Sequence, residues 1–82
     1  MANHNIPLKS LRRILTSFGV GEDKSRGKGS HTLFFKNIDG GVYTYPVPLR
    51  KDTLECYVKG SRKKFHLQPA DGVTDEDFYS RG

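Results

Sequence analysis

Asp39-Gly40-Gly41 separates two runs of β-branched and aromatic residues, His31 to Ile38 and Val42 to Tyr45. That arrangement limits the fold more than any other feature of the chain. Asp-Gly tolerates the backbone of a tight turn between twisted strands, so the two runs are expected to pair as an antiparallel hairpin. Pro46 and Pro48 are expected to end the pairing of the returning strand, because proline brings no N–H to a ladder. Alternation groups His31 with Leu33 and Phe35, and Thr32 with Phe34 and Lys36. Both groups carry apolar side chains, so alternation leaves open which face is covered. If Phe34 packs inward, His31 lies on the open face.

Both flanks supply helices. Leu8, Leu11, Ile14, Leu15 and Phe18 recur at spacings of three and four, with Lys9, Arg12, Arg13 and Thr16 between them. This predicts an amphipathic helix from Leu8 to Phe18, opened by Pro7 and closed by Gly19. Val20 to Lys24 reads as a short edge strand, followed by a loop from Ser25 to Gly29. Downstream, Asp52 or Thr53 is placed to cap a second helix. Its buried side is read as Leu54, Val58, Ser61 and Phe65 with Tyr57, while Glu55, Lys59, Arg62, Lys63 and Lys64 point elsewhere. Gly60 inside it costs about 1 kcal/mol relative to Ala, and Pro69 is expected to stop it. Thr74 with Asp77 three residues on predicts a short terminal helix before Phe78 and Tyr79.

The order α-β-β-β-α predicts a small two-layer α+β domain, a three-stranded antiparallel sheet with two helices on one face. The double-stranded-RNA-binding domain has the same order. Residues 1–69 are read as that domain and 70–82 as an acidic C-terminal tail. At 82 residues, a single core only just stabilises the fold, so a deep substrate cavity is not expected and any site should be shallow. Cys56 is the sole cysteine, which rules out an intramolecular disulfide. No apolar stretch reads as a signal peptide or a membrane span, and the cytoplasm is the expected compartment.

Charge is uneven. Residues 1–69 hold thirteen Lys and Arg against five Asp and Glu, whereas 70–82 set Arg81 against Asp71, Asp75, Glu76 and Asp77. A basic body of this size favours a polyanion such as RNA, DNA or an acidic protein, although a solvated basic surface would have the same composition. Arg26-Gly27-Lys28-Gly29-Ser30 is not a Walker A loop: five residues separate Gly21 from Gly27, and Gly29 follows Lys28. His4, His31 and His66 form no i, i+4 pair and Cys56 has no companion at ligand spacing, so no metal or other cofactor is expected. Ser30 and His31 are expected to diverge, because adjacent strand residues point to opposite faces. Ser30 then supports the turn rather than acting as a nucleophile. His31 places an imidazole at a strand edge beside cations, a group able to move protons near neutral pH. The residues alone leave catalytic and structural roles open.

Taken together, these elements resemble the HicA (YcfA-like) family of toxin mRNA interferases, from about Leu8 to Leu67. The resemblance rests on a first helix ending in Phe18-Gly19-Val20, then Lys28-Gly29-Ser30-His31-Thr32, and the strand Leu33-Phe34-Phe35. The Asp39-Gly40-Gly41 turn, Val42-Tyr43-Thr44-Tyr45-Pro46 and the closing helix follow in order. Many members carry another histidine after the strand proline, where this chain has Pro46-Val47-Pro48. The resemblance implies a fold like that of double-stranded-RNA-binding domains. It also implies a toxin of a type II toxin-antitoxin system, an endoribonuclease acting on mRNA, with His31 as its catalytic residue and a HicB-type antitoxin as protein partner.

RNA brings its own nucleophile, the 2′-OH, so such an enzyme needs proton transfer and charge stabilisation but no metal. His31 supplies the first. Arg26, Lys28 and Lys36 are candidates for the second, with Gly29 and Ser30 close to the phosphate. Tyr43, Tyr45 or a lysine are candidates for a second proton-transfer group. Arg62, Lys63 and Lys64 are candidates for holding phosphates, which a non-catalytic RNA-binding module of the same fold would also do.

Overall fold

The computed structural model describes residues 5–25 and 29–82. Its elements are β1 (Ile6–Pro7), α1 (Leu8–Ser17), β2 (Gly21–Asp23), β3 (His31–Ile38), β4 (Gly41–Pro48), β5 (Asp52–Thr53), α2 (Glu55–Lys64), a 3-10 turn (Pro69–Asp71) and α3 (Asp75–Ser80). β2, β3 and β4 form an antiparallel sheet in that order, and β1 pairs with β5 in a separate two-stranded ribbon. Asp39 and Gly40 both take positive φ, 49° and 82°, as a two-residue hairpin turn requires. The register then follows from the turn, setting Phe34 opposite Tyr45 and His31 opposite Pro48.

The prolines do not end the pairing: β4 continues through Pro46 and Pro48. Leu49 N–H donates to Ser30 O at 2.8 Å, so the odd-numbered residues of β4 supply the inward N–H groups. Pro46 and Pro48 are even-numbered and lie on an edge strand, where the missing N–H would face away from β3.

Phe34 and Thr32 are buried against the helices, as is Val47 from β4. Phe35 and Val42 are exposed on the other side, which places His31 on the open-face side of β3. The core joins Leu8, Leu11, Ile14 and Leu15 of α1 to Val58 and Phe65 at α2, with Leu67, Val73 and Phe78 from the C-terminal part. α1 closes as the sequence indicates. Gly19, at φ 83°, bonds to Thr16 O while Val20 N–H bonds to Leu15 O, each at 3.0 Å.

α2 departs from expectation at both ends. Asp52 and Thr53 are engaged in β5, and the helix is capped from a distance: Asn5 Oδ1 accepts from Glu55 N–H at 2.8 Å. Leu54 is consequently outside the helix and exposed. The helix ends at Lys64, before Pro69 is reached, because His66 turns to φ 57° and Leu67 N–H closes on Arg62 O at 2.7 Å. Arg62 is also corrected. It is 6% exposed, and its guanidinium bonds to Leu67 O, Val73 O and Asp75 Oδ1 at 2.8, 3.0 and 2.7 Å. The segment 70–82 is packed onto this arginine: Phe78, fully buried, lies 4.5 Å beneath the Arg62 guanidinium and 6.1 Å from Phe18. Thr74 caps α3, accepting from Asp77 N–H at 3.0 Å.

Candidate active site

The turn Gly29-Ser30 delivers the chain into β3, and both residues are exposed beside His31. Ser30 precedes the strand, so strand alternation does not govern it. Its side chain turns back, and Ser30 Oγ lies 2.9 Å from His31 Nδ1. The expected divergence of Ser30 and His31 is thereby overturned. A hydroxyl at Nδ1 can donate or accept, so it supports whichever tautomer the reaction leaves. His31 Nε2 has no hydrogen-bond partner among the described residues.

The next residue is fixed from the opposite side of the sheet. Thr32 is fully buried, and its Oγ1 donates to Glu22 Oε2 at 2.6 Å. Arg12 Nε, from α1, reaches the two Glu22 oxygens at 3.0 and 3.1 Å. Three elements thus hold the backbone on which the His31 ring is carried.

Burial pushes the Glu22 carboxyl up, but hydrogen bonds from Thr32 and Arg12, with the nearby Arg12 and Lys24 charges, outweigh it and hold the group below its ordinary 4.5. A carboxylate lowered on folding adds stability that is fully present above the unfolded value and is lost as pH falls through the folded one. Urea unfolding of wild type is therefore expected to lose Glu22-linked stability below about pH 4.5. Glu22→Gln should be less stable by about 1–2 kcal/mol at pH 7, with the difference shrinking in acid. A difference that stays constant from pH 7 to pH 3 would contradict this role.

The candidate residues divide into separate groups. Gly29, Ser30 and His31 are together. Arg26 and Lys28 lie outside the described residues, as does His4. Lys36 is five positions along β3, on the helix-facing side opposite Tyr43, away from His31. Lys63 and Lys64 are exposed at the end of α2, whereas Arg62 is occupied by protein acceptors and has no free surface for phosphate. Tyr43 and Tyr45 turn toward the helix side, which removes them from proton transfer with His31. Burial also pushes the Tyr45 phenol further above neutrality.

Arg50, a cation not singled out in the sequence, lies at the His31 end of the sheet. Lys9, Arg12, Arg50 and Lys51 line a groove of about 470 Å³ with Pro7 and Leu8. Arg50 directly follows Leu49, the residue bonded to Ser30. The signal was available: the Asp39-Gly40 turn fixes the register, and the register carries the end of β4 back beside the start of β3. Among the described residues, Lys9, Arg50 and Lys51 have no acidic partner, and no group of three or more His, Cys, Asp or Glu is arranged to hold a metal. No described helix is long and apolar enough to cross a membrane.

No protein-family model, curated protein or solved structure matches the chain.

Proposed function

We propose that this protein is a HicA-like mRNA endoribonuclease, the toxin of a toxin-antitoxin pair, with His31 as its proton-transfer group. The observation that best supports this reading is the placement of His31. Its imidazole is partly exposed on the open side of the sheet, meets the Ser30 hydroxyl at Nδ1 at 2.9 Å, and is carried on backbone anchored through Thr32 and Glu22. The α1-β2-β3-β4-α2 order, shared with double-stranded-RNA-binding domains, is the frame of the proposal.

In the reaction, the substrate 2′-oxygen attacks phosphorus and the bond from phosphorus to the 5′-oxygen breaks. A 2′,3′-cyclic phosphate and a 5′-hydroxyl result. His31 accepts the 2′-OH proton or returns one to the leaving oxygen, and one group can do only one of these in a single step. Solvent completes the transfer, and Arg50, which follows the Ser30-bonded Leu49, is the candidate to stabilise the phosphorane charge. The same basic surface fits an acidic antitoxin of HicB type, which would silence the toxin by covering it.

Purified protein incubated with RNA in EDTA is expected to yield 2′,3′-cyclic phosphate ends. The same strand with 2′-hydrogens should bind and resist cutting. Cleavage of the 2′-deoxy strand, or complete inhibition by EDTA, would overturn the mechanism.

A further inference from the structure

A second groove lies on the other side of β4, away from His31. Tyr43 and Tyr45 of β4, Gly60, Lys63 and Lys64 of α2, and His66 line a cleft of about 380 Å³. Lys63 and Lys64 have no acidic partner among the described residues. Lys64 Nζ stands 5.9 Å from the Tyr43 ring, and the His66 ring meets Tyr43 edge-on at 5.5 Å. Lys36, the cross-strand neighbour of Tyr43, adds charge at the same end.

Two backbone features shape this cleft. A Cβ at Gly60 would run into the Tyr45 hydroxyl, so glycine lets the hydroxyl end of that ring close on the helix. His66 occupies the left-handed closing position of α2, which glycine fills most readily, with φ 57°. A non-glycine residue held there is a local cost to the fold, and such outliers gather at functional positions. The cost presents an imidazole against Tyr43.

Flat aromatic faces interleaved with unpaired lysines are what a single nucleic-acid strand needs: π surfaces for unpaired bases and cations for the phosphates between them. An acidic protein would use the lysines but not the rings. A duplex keeps its bases stacked inside and would also leave the rings unused. We propose that this cleft binds an unpaired nucleobase with its flanking phosphates, holding single-stranded RNA on the helix-facing side of the sheet, away from His31. The proposal rests on the RNA reading above, but not on catalysis.

The test is fluorescence anisotropy with a labelled, uncleavable 2′-O-methyl RNA octamer, repeated across salt concentrations. His66→Gly removes the ring and relieves the left-handed backbone, so its Tm should be unchanged or raised. Its affinity should fall roughly 5- to 100-fold, as should that of Tyr43→Leu. Lys63→Gln with Lys64→Gln should shrink the log-affinity against log-salt slope by roughly 0.7 per lost contact. An octamer with one abasic position should bind wild type more weakly and His66→Gly no more weakly than before. Wild-type affinity in folded His66→Gly, or indifference of wild type to the abasic position, overturns the cleft. Loss of binding in His66→Gly, with a wild type that never cleaves RNA, keeps the cleft and removes the catalytic reading. Cleaving wild type with unaltered His66→Gly binding does the reverse. Failure of wild type to bind the octamer removes both.

Discussion

His31→Ala is expected to abolish growth arrest in cells and lower RNA cleavage in vitro by about 10²- to 10⁴-fold, the range that a positioned general acid or base contributes. The fold should be retained. His31 is only partly buried, and its ring bonds to a neighbouring exposed hydroxyl rather than to the core, so the stability change should stay within about 0.5 kcal/mol. RNA affinity and its salt dependence should also hold, because lysine and arginine side chains rather than His31 are expected to hold the phosphates. Ser30→Ala provides the comparison. Losing the hydroxyl at Nδ1 should change the pH profile of cleavage while leaving activity well above that of His31→Ala. Equal cleavage by His31→Ala and wild type, at matched amounts of folded protein, would remove His31 from the chemistry.

Arg62→Ala is expected to destabilise the fold by about 3 kcal/mol. Two buried carbonyls, Leu67 O and Val73 O, lose their donor together, and each group left unpaired costs about 1–3 kcal/mol. The stack on Phe78 at 4.5 Å is lost as well, while Asp75 is exposed enough for water to replace its partner. For a domain of this size the Tm should fall by roughly 15 °C. Proteolysis should then begin within 70–82, which Arg62 ties to the rest of the fold. Arg62→Lys should recover only part of this, since an ammonium cannot reach three acceptors with a planar fork. A Tm change under about 3 °C would show that the arginine is not the anchor its contacts imply.

Arg62 also shows where sequence reading reaches its limit. It is adjacent to Lys63 and Lys64, and composition treats the three as one basic cluster. Helical geometry separates them by about 100° each, and only the surroundings decide which is buried. Leu67 O, Val73 O and Asp75 come from a segment that the charge balance set apart as a tail. Its acidity is real, yet Phe78 needs cover and finds it under a guanidinium. The cap of α2 is similar. Asp52 and Thr53 were reasonable caps by type, but Asn5, fifty residues away, does the work.

The parts legible in advance were those fixed by local chemistry. Asp39-Gly40 sets a turn, the turn sets a register, and the register fixes which residue faces which from His31 to Pro48. The spacing of Leu8, Leu11, Ile14 and Leu15 sets a helix face, and Gly19 ends that helix because its backbone reaches positive φ without a Cβ clash. These signals act within a few residues, where the chain's own sterics and periodicity suffice. The covered face of the sheet, the hold of Glu22 on Thr32 and the Tyr43–His66 cleft were decided by tertiary structure. Each needs side chains from distant segments to be desolvated together, and neither periodicity nor composition carries the identity of a partner that only folding brings within reach.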